Sequence, residues 1–341
     1  MQFNAIVGNP PYQEGISDTS ENSSLSKQIF PSFIELAVNL NPDYLSLVTP
    51  SRWFTGDAQD KSFLKLREFV RENNHFSKIV NYPYAADVFP GIVLKGGVNY
   101  FLYEKDYDGK VCFINKEKGG EVVQERNLFE DNLDIILSDQ KNYKLINKIK
   151  SNNFIPLTSI TTGRDAFGIV GKESSLMKIA KKDSFKGSVV IRCKGNQILY
   201  TENSKIIKNI DIFEKYKVFI SKSAGDPNTD FKIIGEPYLG KPFEACTDSL
   251  IPVGKFETEL EALNLQKYFK TKFLRYMVSI LKVSQNVYQN VYQFVPLQDF
   301  TSTSDINWSK SIPEIDQQLY RKYGLTEEEI AFIESMIKPM S

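Results

Sequence analysis

The sequence predicts an open α/β sheet, only part of which is present, followed by an α+β unit. Three observations support this. Strand-like and helix-like apolar patterns alternate through the first 105 residues, short glycine-punctuated β-rich runs replace them after Pro156, and the sign of the charge changes between the two parts. A chain of 341 residues has the length of about two ordinary domains. The expected boundaries are residues 1–135 for the first, 136–305 for the second and 306–341 for a helical tail.

Phe3 to Val7 is an apolar run stopped by Gly8 and two prolines. Ser24 to Leu40 reads as a helix, with Ile29, Phe33, Leu36, Ala37 and Leu40 at helical spacing. A strand at Tyr44 to Val48 precedes a second amphipathic helix at Lys61 to Asn73, built on Phe63, Leu64, Leu66, Phe69 and Val70. Strands at Lys78 to Tyr82 and Gly97 to Tyr103 complete the unit. A largely parallel sheet needs both faces covered, and two helices are too few, so the reading expects a missing upstream portion. Residues 106–150 are charged and turn-rich until a helix at Asp139 to Ile149. Strands are then expected at Ser188 to Cys193, Lys217 to Ser221 and Ser249 to Val253. A helix over Glu257 to Lys282, broken near Lys270, comes next, and a last helix starts at Thr326, where Thr326 and Glu329 form a capping box.

Composition excludes several chemistries. Cys112, Cys193 and Cys246 lie far apart and His75 is the single histidine, so neither a zinc site nor a disulfide framework is expected. One histidine also leaves little for a triad hydrolase. No window approaches the roughly 18 apolar residues of a membrane span, so a cytoplasmic protein without a membrane partner is expected. The formal charge of zero conceals about −7 over residues 1–140, about +9 over 141–230 and about −2 over the rest. A polyanion would be gripped by the basic middle segment.

The informative stretch is Phe3-Asn4-Ala5-Ile6-Val7-Gly8-Asn9-Pro10-Pro11-Tyr12. Two prolines fix φ and remove two backbone donors, so the Pro10 carbonyl is a rigid acceptor beside the Asn9 amide oxygen. Two fixed acceptors at the carboxyl end of a strand, followed by an aromatic plane, suit the exocyclic amine of a flat base, at the sheet edge where ligands bind. Asn-Pro-Pro-Tyr in this context resembles the catalytic motif of adenine-specific (N6) DNA methyltransferases of type II, type IIG-like, restriction-modification systems. Leu45-Ser46-Leu47-Val48-Thr49-Pro50-Ser51-Arg52-Trp53, Val88-Phe89-Pro90 and Gly96-Gly97-Val98-Asn99-Tyr100-Phe101-Leu102 resemble later segments of that family. So do Phe243-Glu244-Ala245-Cys246-Thr247, Val291-Tyr292-Gln293-Phe294-Val295-Pro296 and Tyr320-Arg321-Lys322-Tyr323-Gly324-Leu325-Thr326.

The resemblance implies a partial Rossmann-like methyltransferase sheet joined to an α+β target-recognition domain. It implies base flipping of adenine in double-stranded DNA, with Asn9, Pro10, Pro11 and Tyr12 as catalytic residues and Tyr12 and Phe89 stacking on the base. S-adenosylmethionine would be the donor, contacted by Asn9 and Phe33, with no metal. The family's Gly-rich donor turn and acidic ribose ligand precede the Asn-Pro-Pro-Tyr strand, which here begins at Met1. The donor site is therefore expected to be incomplete, the chain inactive alone, and an N-terminal donor-binding segment or subunit a partner. The family's fused nuclease is not expected either: Glu244, Asp248 and Lys255 have the wrong order and spacing. Arg164, Lys172, Arg192, Lys194, Lys222 and Asn286 are the candidate DNA contacts, and Gln285 to Gln293 is an amide and aromatic cluster able to reach base edges. The alternative is a non-catalytic DNA-binding and recognition subunit.

Overall fold

Apolar alternation and two amphipathic helices produce a half-covered mixed sheet in the first part of the chain. The structure, a computed structural model, describes residues 3–15, 26–56, 58, 60–91, 94, 96–117, 119–130, 133–151, 153–224, 233–282 and 286–340. It divides into two units, Met1–Tyr143 and Lys144–Ser341.

The first unit runs through β1 (Ala5–Gly8), β2 (Gln13–Gly15), β3 (Ser26–Gln28), α1 (Phe30–Asn39), β4 (Tyr44–Pro50), α2 (Ser62–Glu72), β5 (Phe76–Tyr82), β6 (Val98–Glu104), β7 (Val111–Glu117) and β8 (Gly120–Arg126). The six-stranded sheet has the order β1-β4-β6-β5-β7-β8. Strands β1, β4, β5 and β7 share one direction, and β6 and β8 oppose it. β2 and β3 form a separate antiparallel pair.

Period-two alternation turns Leu45 and Leu47 of β4 and Phe101 and Tyr103 of β6 to one face. Phe30, Ile34, Ala37 and Val38 of α1 and Phe63, Leu66 and Val70 of α2 join them in one core cluster. On the opposite face Tyr44 and Tyr100 remain exposed.

Two expectations need correction. The first helix starts at Phe30, not Ser24, because Ser26–Gln28 pairs with β2 and Pro31 sits at the position where proline initiates a helix. Its buried face is also rotated from the expected stripe, leaving Phe33, Leu36 and Leu40 exposed. Residues 106–150, read as turns before a helix, contain β7 and β8, whose signal is the buried alternation of Val111, Phe113 and Asn115. The helix expected at Asp139 to Ile149 is α3 (Gln140–Lys150), and the division between the units falls within it.

The second unit holds α4 (Glu173–Leu176), β9 (Ala180–Lys181), β10 (Ser188–Arg192), β11 (Ile198–Glu202), α5 (Ile210–Phe213), β12 (Tyr216–Ser221), β13 (Tyr238–Gly240), β14 (Glu244–Cys246) and β15 (Leu250–Phe256). These form one sheet of order β14-β10-β11-β9 and another of order β13-β12-β15. Helices α6 (Glu259–Lys270) and α7 (Lys272–Ser279) are the expected broken helix, parted at Thr271, whose side chain caps α7 by accepting the Leu274 N–H at 3.2 Å. Helices α8 (Ile312–Lys322) and α9 (Glu327–Met336) both begin with capping boxes, Ser311 with Glu314 and Thr326 with Glu329. The C-terminal pair packs on α6 and α7, with Phe273 stacked on Tyr323 at 5.2 Å. No helix among the described residues is long and apolar enough to cross a membrane.

Candidate active site

The Asn-Pro-Pro-Tyr turn leaves the carboxyl end of β1 and enters β2 directly. Gly8 pairs with Leu47, which brings the turn to the level at which β4 ends in Thr49-Pro50. Asn9 and Pro11 are exposed and Pro10 is buried, so the rigid turn has its middle anchored and its first side chain presented. The Tyr12 ring packs against the core cluster and stands edge-on to Phe30 at 6.5 Å. Its hydroxyl is buried and makes no geometric hydrogen bond. Burial pushes the Tyr12 pKa up, and the neighbouring Asn9 amide offsets part of that rise.

Arg52, just beyond β4, locks the β2–β3 pair that the turn enters. Its Nη2 donates to the Gln28 side chain of β3 and, at 3.5 Å, to Gln13 of β2. The guanidinium lies 5.9 Å from the Phe63 ring, and burial lowers its pKa from a value high enough to keep it charged. The Ile29 N–H donates to the Tyr12 carbonyl at 3.2 Å, closing the same strand pair around the motif.

Behind Arg52 lies a ladder of buried neutral side chains across four strands. Ser51 Oγ donates to Asn81 at 2.6 Å, and Asn81 Nδ2 donates to Asn115 at 2.8 Å. Asn99 Nδ2 donates to the Thr49 carbonyl at 3.2 Å and to Ser51 Oγ at 3.3 Å. Gly97 completes the edge: its φ is +77°, its carbonyl accepts the Ser51 N–H, and a Cβ there would come within 2.3 Å of the Tyr82 carbonyl oxygen. Sequence reasoning missed the ladder and Arg52. The available signal was an asparagine near the same end of three otherwise apolar strands.

Phe89 is half-buried in the turn after Ala85–Asp87, beyond the carboxyl end of β5, with its N–H on the Ala85 carbonyl at 2.8 Å. Phe33 is 40% exposed on the outward side of α1. Phe33 and Asn9 are both exposed. Among the described residues no glycine turn joins a strand to a helix opening, so these residues fit only part of a donor site.

In the second unit the six candidate DNA contacts separate into groups. Arg192 is committed to Glu244, with Nε and Nη2 on its two oxygens at 3.0 and 3.2 Å. Lys194 is exposed on the turn between β10 and β11. Arg164 and Lys222 converge on Asp248, and Lys172 adjoins Gly171, which donates to the same carboxylate. Asn286 bridges Ser223, next to Lys222. Of the amide and aromatic cluster, Gln285 lies outside the described residues, and Gln289–Tyr292 forms a helical turn whose Val291 and Tyr292 are buried. Glu244, Asp248 and Lys255 each hold a different partner, Lys255 pairing with Asp211 at 2.9 Å.

Residues 1–89 match the family model described as Eco57I restriction-modification methylase. The chain is similar to an uncharacterised adenine-specific methylase of Mycoplasma pneumoniae (strain ATCC 29342 / M129), at 34% identity over 134 residues, which is 38% of this chain and 31% of the relative. These two matches, over residues 1–89 and over 134 residues, bear out the resemblance to adenine-specific restriction-modification methylases. Among solved structures, the type IIL restriction-modification enzyme MmeI in complex with DNA aligns with 97% of this chain and 56% of its own, at 9% identity and a TM-score of 0.47. The type IIG restriction endonuclease BpuSI aligns with 95% of this chain and 49% of its own, at 13% identity and a TM-score of 0.36. The chain spans about a third of the length of the curated relative and about half that of these structures.

Proposed function

We propose that this chain carries the adenine-binding and DNA-reading parts of a site-specific DNA N6-adenine methyltransferase of restriction-modification type that uses S-adenosylmethionine. The observation that carries the reading is the Asn9–Tyr12 turn, presented at the carboxyl end of β1 with Pro10 buried and Asn9 exposed. Asn9 Oδ1 and the Pro10 carbonyl accept the two N6 hydrogens of a flipped adenine, which turns the nitrogen lone pair away from the ring. Tyr12 supplies one stacking face and Phe89 the other. Arg52 ties together β2 and β3, the strand pair that the turn enters, which braces the turn before the base arrives.

S-adenosylmethionine supplies the electrophilic methyl group, and Asn9 and Phe33 contribute to its site. The remaining donor contacts come from a donor-binding segment or subunit seated along β1. Three features of the surface support that placement. The outer edge of β1 is unpaired among the described residues, Val7 on it is 81% exposed, and Leu36 on α1 is 58% exposed. The second unit reads the sequence, its basic excess setting register on phosphates.

The test is production of the chain, alone and joined to the donor-binding half of a related methylase, in a bacterial host lacking adenine methylation, with N6-methyladenine counted by mass spectrometry. The joined form methylates, and Asn9→Ala lowers transfer at least about a hundredfold while DNA affinity holds. Retained transfer in Asn9→Ala overturns the chemistry. DNA binding with no transfer in any form returns the protein to the non-catalytic recognition subunit.

A further inference from the structure

Asp248 occupies the turn between β14 and β15, where four separate segments meet. Its Oδ1 accepts the Gly171 N–H at 2.8 Å and its Oδ2 accepts the Lys222 ammonium at 3.0 Å, while its own N–H donates to the Ile169 carbonyl at 2.9 Å. The fourth segment joins through Lys222, whose carbonyl accepts the Val287 N–H at 2.8 Å. Space around the carboxylate is tight, since a Cβ on Gly171 would lie 3.0 Å from Oδ1.

Into this frame projects Arg164. Its Nη2 is 3.9 Å from Asp248 Oδ2, its guanidinium carbon is 5.8 Å from the centre of the Tyr288 ring, and its side chain is 48% exposed. At 3.9 Å the carboxylate orients the guanidinium by charge without consuming an N–H, and the ring limits the plane the guanidinium adopts. Arg192 shows the opposite condition, with two of its nitrogens on Glu244 and little of the side chain exposed. Of the two arginines, only Arg164 combines a fixed base with an exposed fork. A planar pair of N–H donors matches the O6 and N7 acceptors that guanine presents in the major groove.

We propose that Arg164, oriented by Asp248 and Tyr288, is a specificity-determining residue that reads a guanine in duplex DNA. This rests on the DNA-reading role proposed for the second unit, and it adds the base class and the positioning residue.

The experiment is selection from a pool of randomised duplexes by the full chain, followed by sequencing of the bound fraction, so that no methyl transfer is needed. Wild type enriches a motif containing at least one guanine. Arg164→Ala and Arg164→Lys, the second of which keeps the charge but loses the fork, each lower the preference for one guanine about tenfold and leave the other positions intact. Asp248→Asn weakens the same position less. Lys194→Ala, on an exposed turn, lowers affinity evenly and keeps the motif. Melting temperatures confirm that each variant is folded. If wild type enriches a motif and the Arg164 variants retain every guanine, or lose affinity evenly across sequences, the guanine assignment is wrong while the DNA-reading role stands. If wild type enriches nothing, the DNA-reading role fails and this assignment with it.

Discussion

Hydrogen bonds between buried neutral side chains link β4, β6, β5 and β7 of the first unit, whereas carboxylates hold loops and helix ends of the second. Thr49, Ser51, Asn81, Asn99 and Asn115 are all buried and hydrogen-bond to one another across β4, β6, β5 and β7. In the second unit Asp248 ties the Gly171 and Lys222 segments together, and Asp316 accepts the Lys272 and Phe273 N–H groups at 3.0 and 2.9 Å at the start of α7. On the proposed function, the difference matches the ligand each region would meet. Loops proposed to meet a polyanion can tolerate fixed charge.

The comparison breaks first if the ladder is dispensable. Asn81→Leu removes the acceptor of Ser51 and a donor to Asn115 inside the sheet. The expected loss is about 3 kcal/mol. Urea denaturation measures it, and a change below about 0.5 kcal/mol, the range of a neutral surface substitution, would show that the edge is held by something else.

A pH titration sharpens the contrast at the next level. Burial raises the Asp316 pKa to about 6 from 3.8, against the opposing effect of the Phe273 and Lys272 N–H groups. A folded state that binds the proton more tightly than the unfolded chain gains stability as pH falls, so this contribution is fully present below about pH 4 and is lost as pH rises through about 6. The expected difference between pH 4 and pH 7 is about 2–3 kcal/mol at most. Asp316→Asn flattens that window, whatever its absolute stability, and an unchanged slope in the variant would remove Asp316 as the source.

How much of this was legible in the sequence differs between the two regions as well. The motif turn and its strand stood out because proline chemistry is local and strand alternation has a fixed period. The strands β7 and β8 were lost among charges because Asn115, a polar residue, occupies a buried position that only its cross-strand partner explains. The buried face of α1 was misread for a related reason. Phe33, Leu36 and Leu40 form as good an apolar stripe as Phe30, Ile34, Ala37 and Val38, and periodicity cannot choose between two apolar faces of one helix. In the second unit Arg164 and Arg192 are alike in sequence. Only the positions of Glu244 and Asp248, 52 and 84 residues away along the chain, separate the arginine engaged inside from the one presented outward.

The smallest expected effect tests the acceptor turn itself. The Tyr12 hydroxyl is buried, with the Asn9 amide as its neighbour. If the ring is what the turn supplies, Tyr12→Phe changes stability by no more than about 1 kcal/mol, because it keeps the plane and loses only the contact with Asn9. Methyl transfer by the joined form then stays within about threefold of wild type, whereas Tyr12→Ala loses the stacking surface, worth about 1–3 kcal/mol per base in other proteins. A Phe variant that fell as far as the Ala variant would assign the function of Tyr12 to its hydroxyl. That result would place a second polar contact to the base beside Asn9, and the purely neutral acceptor edge of the first unit would have to include a donor.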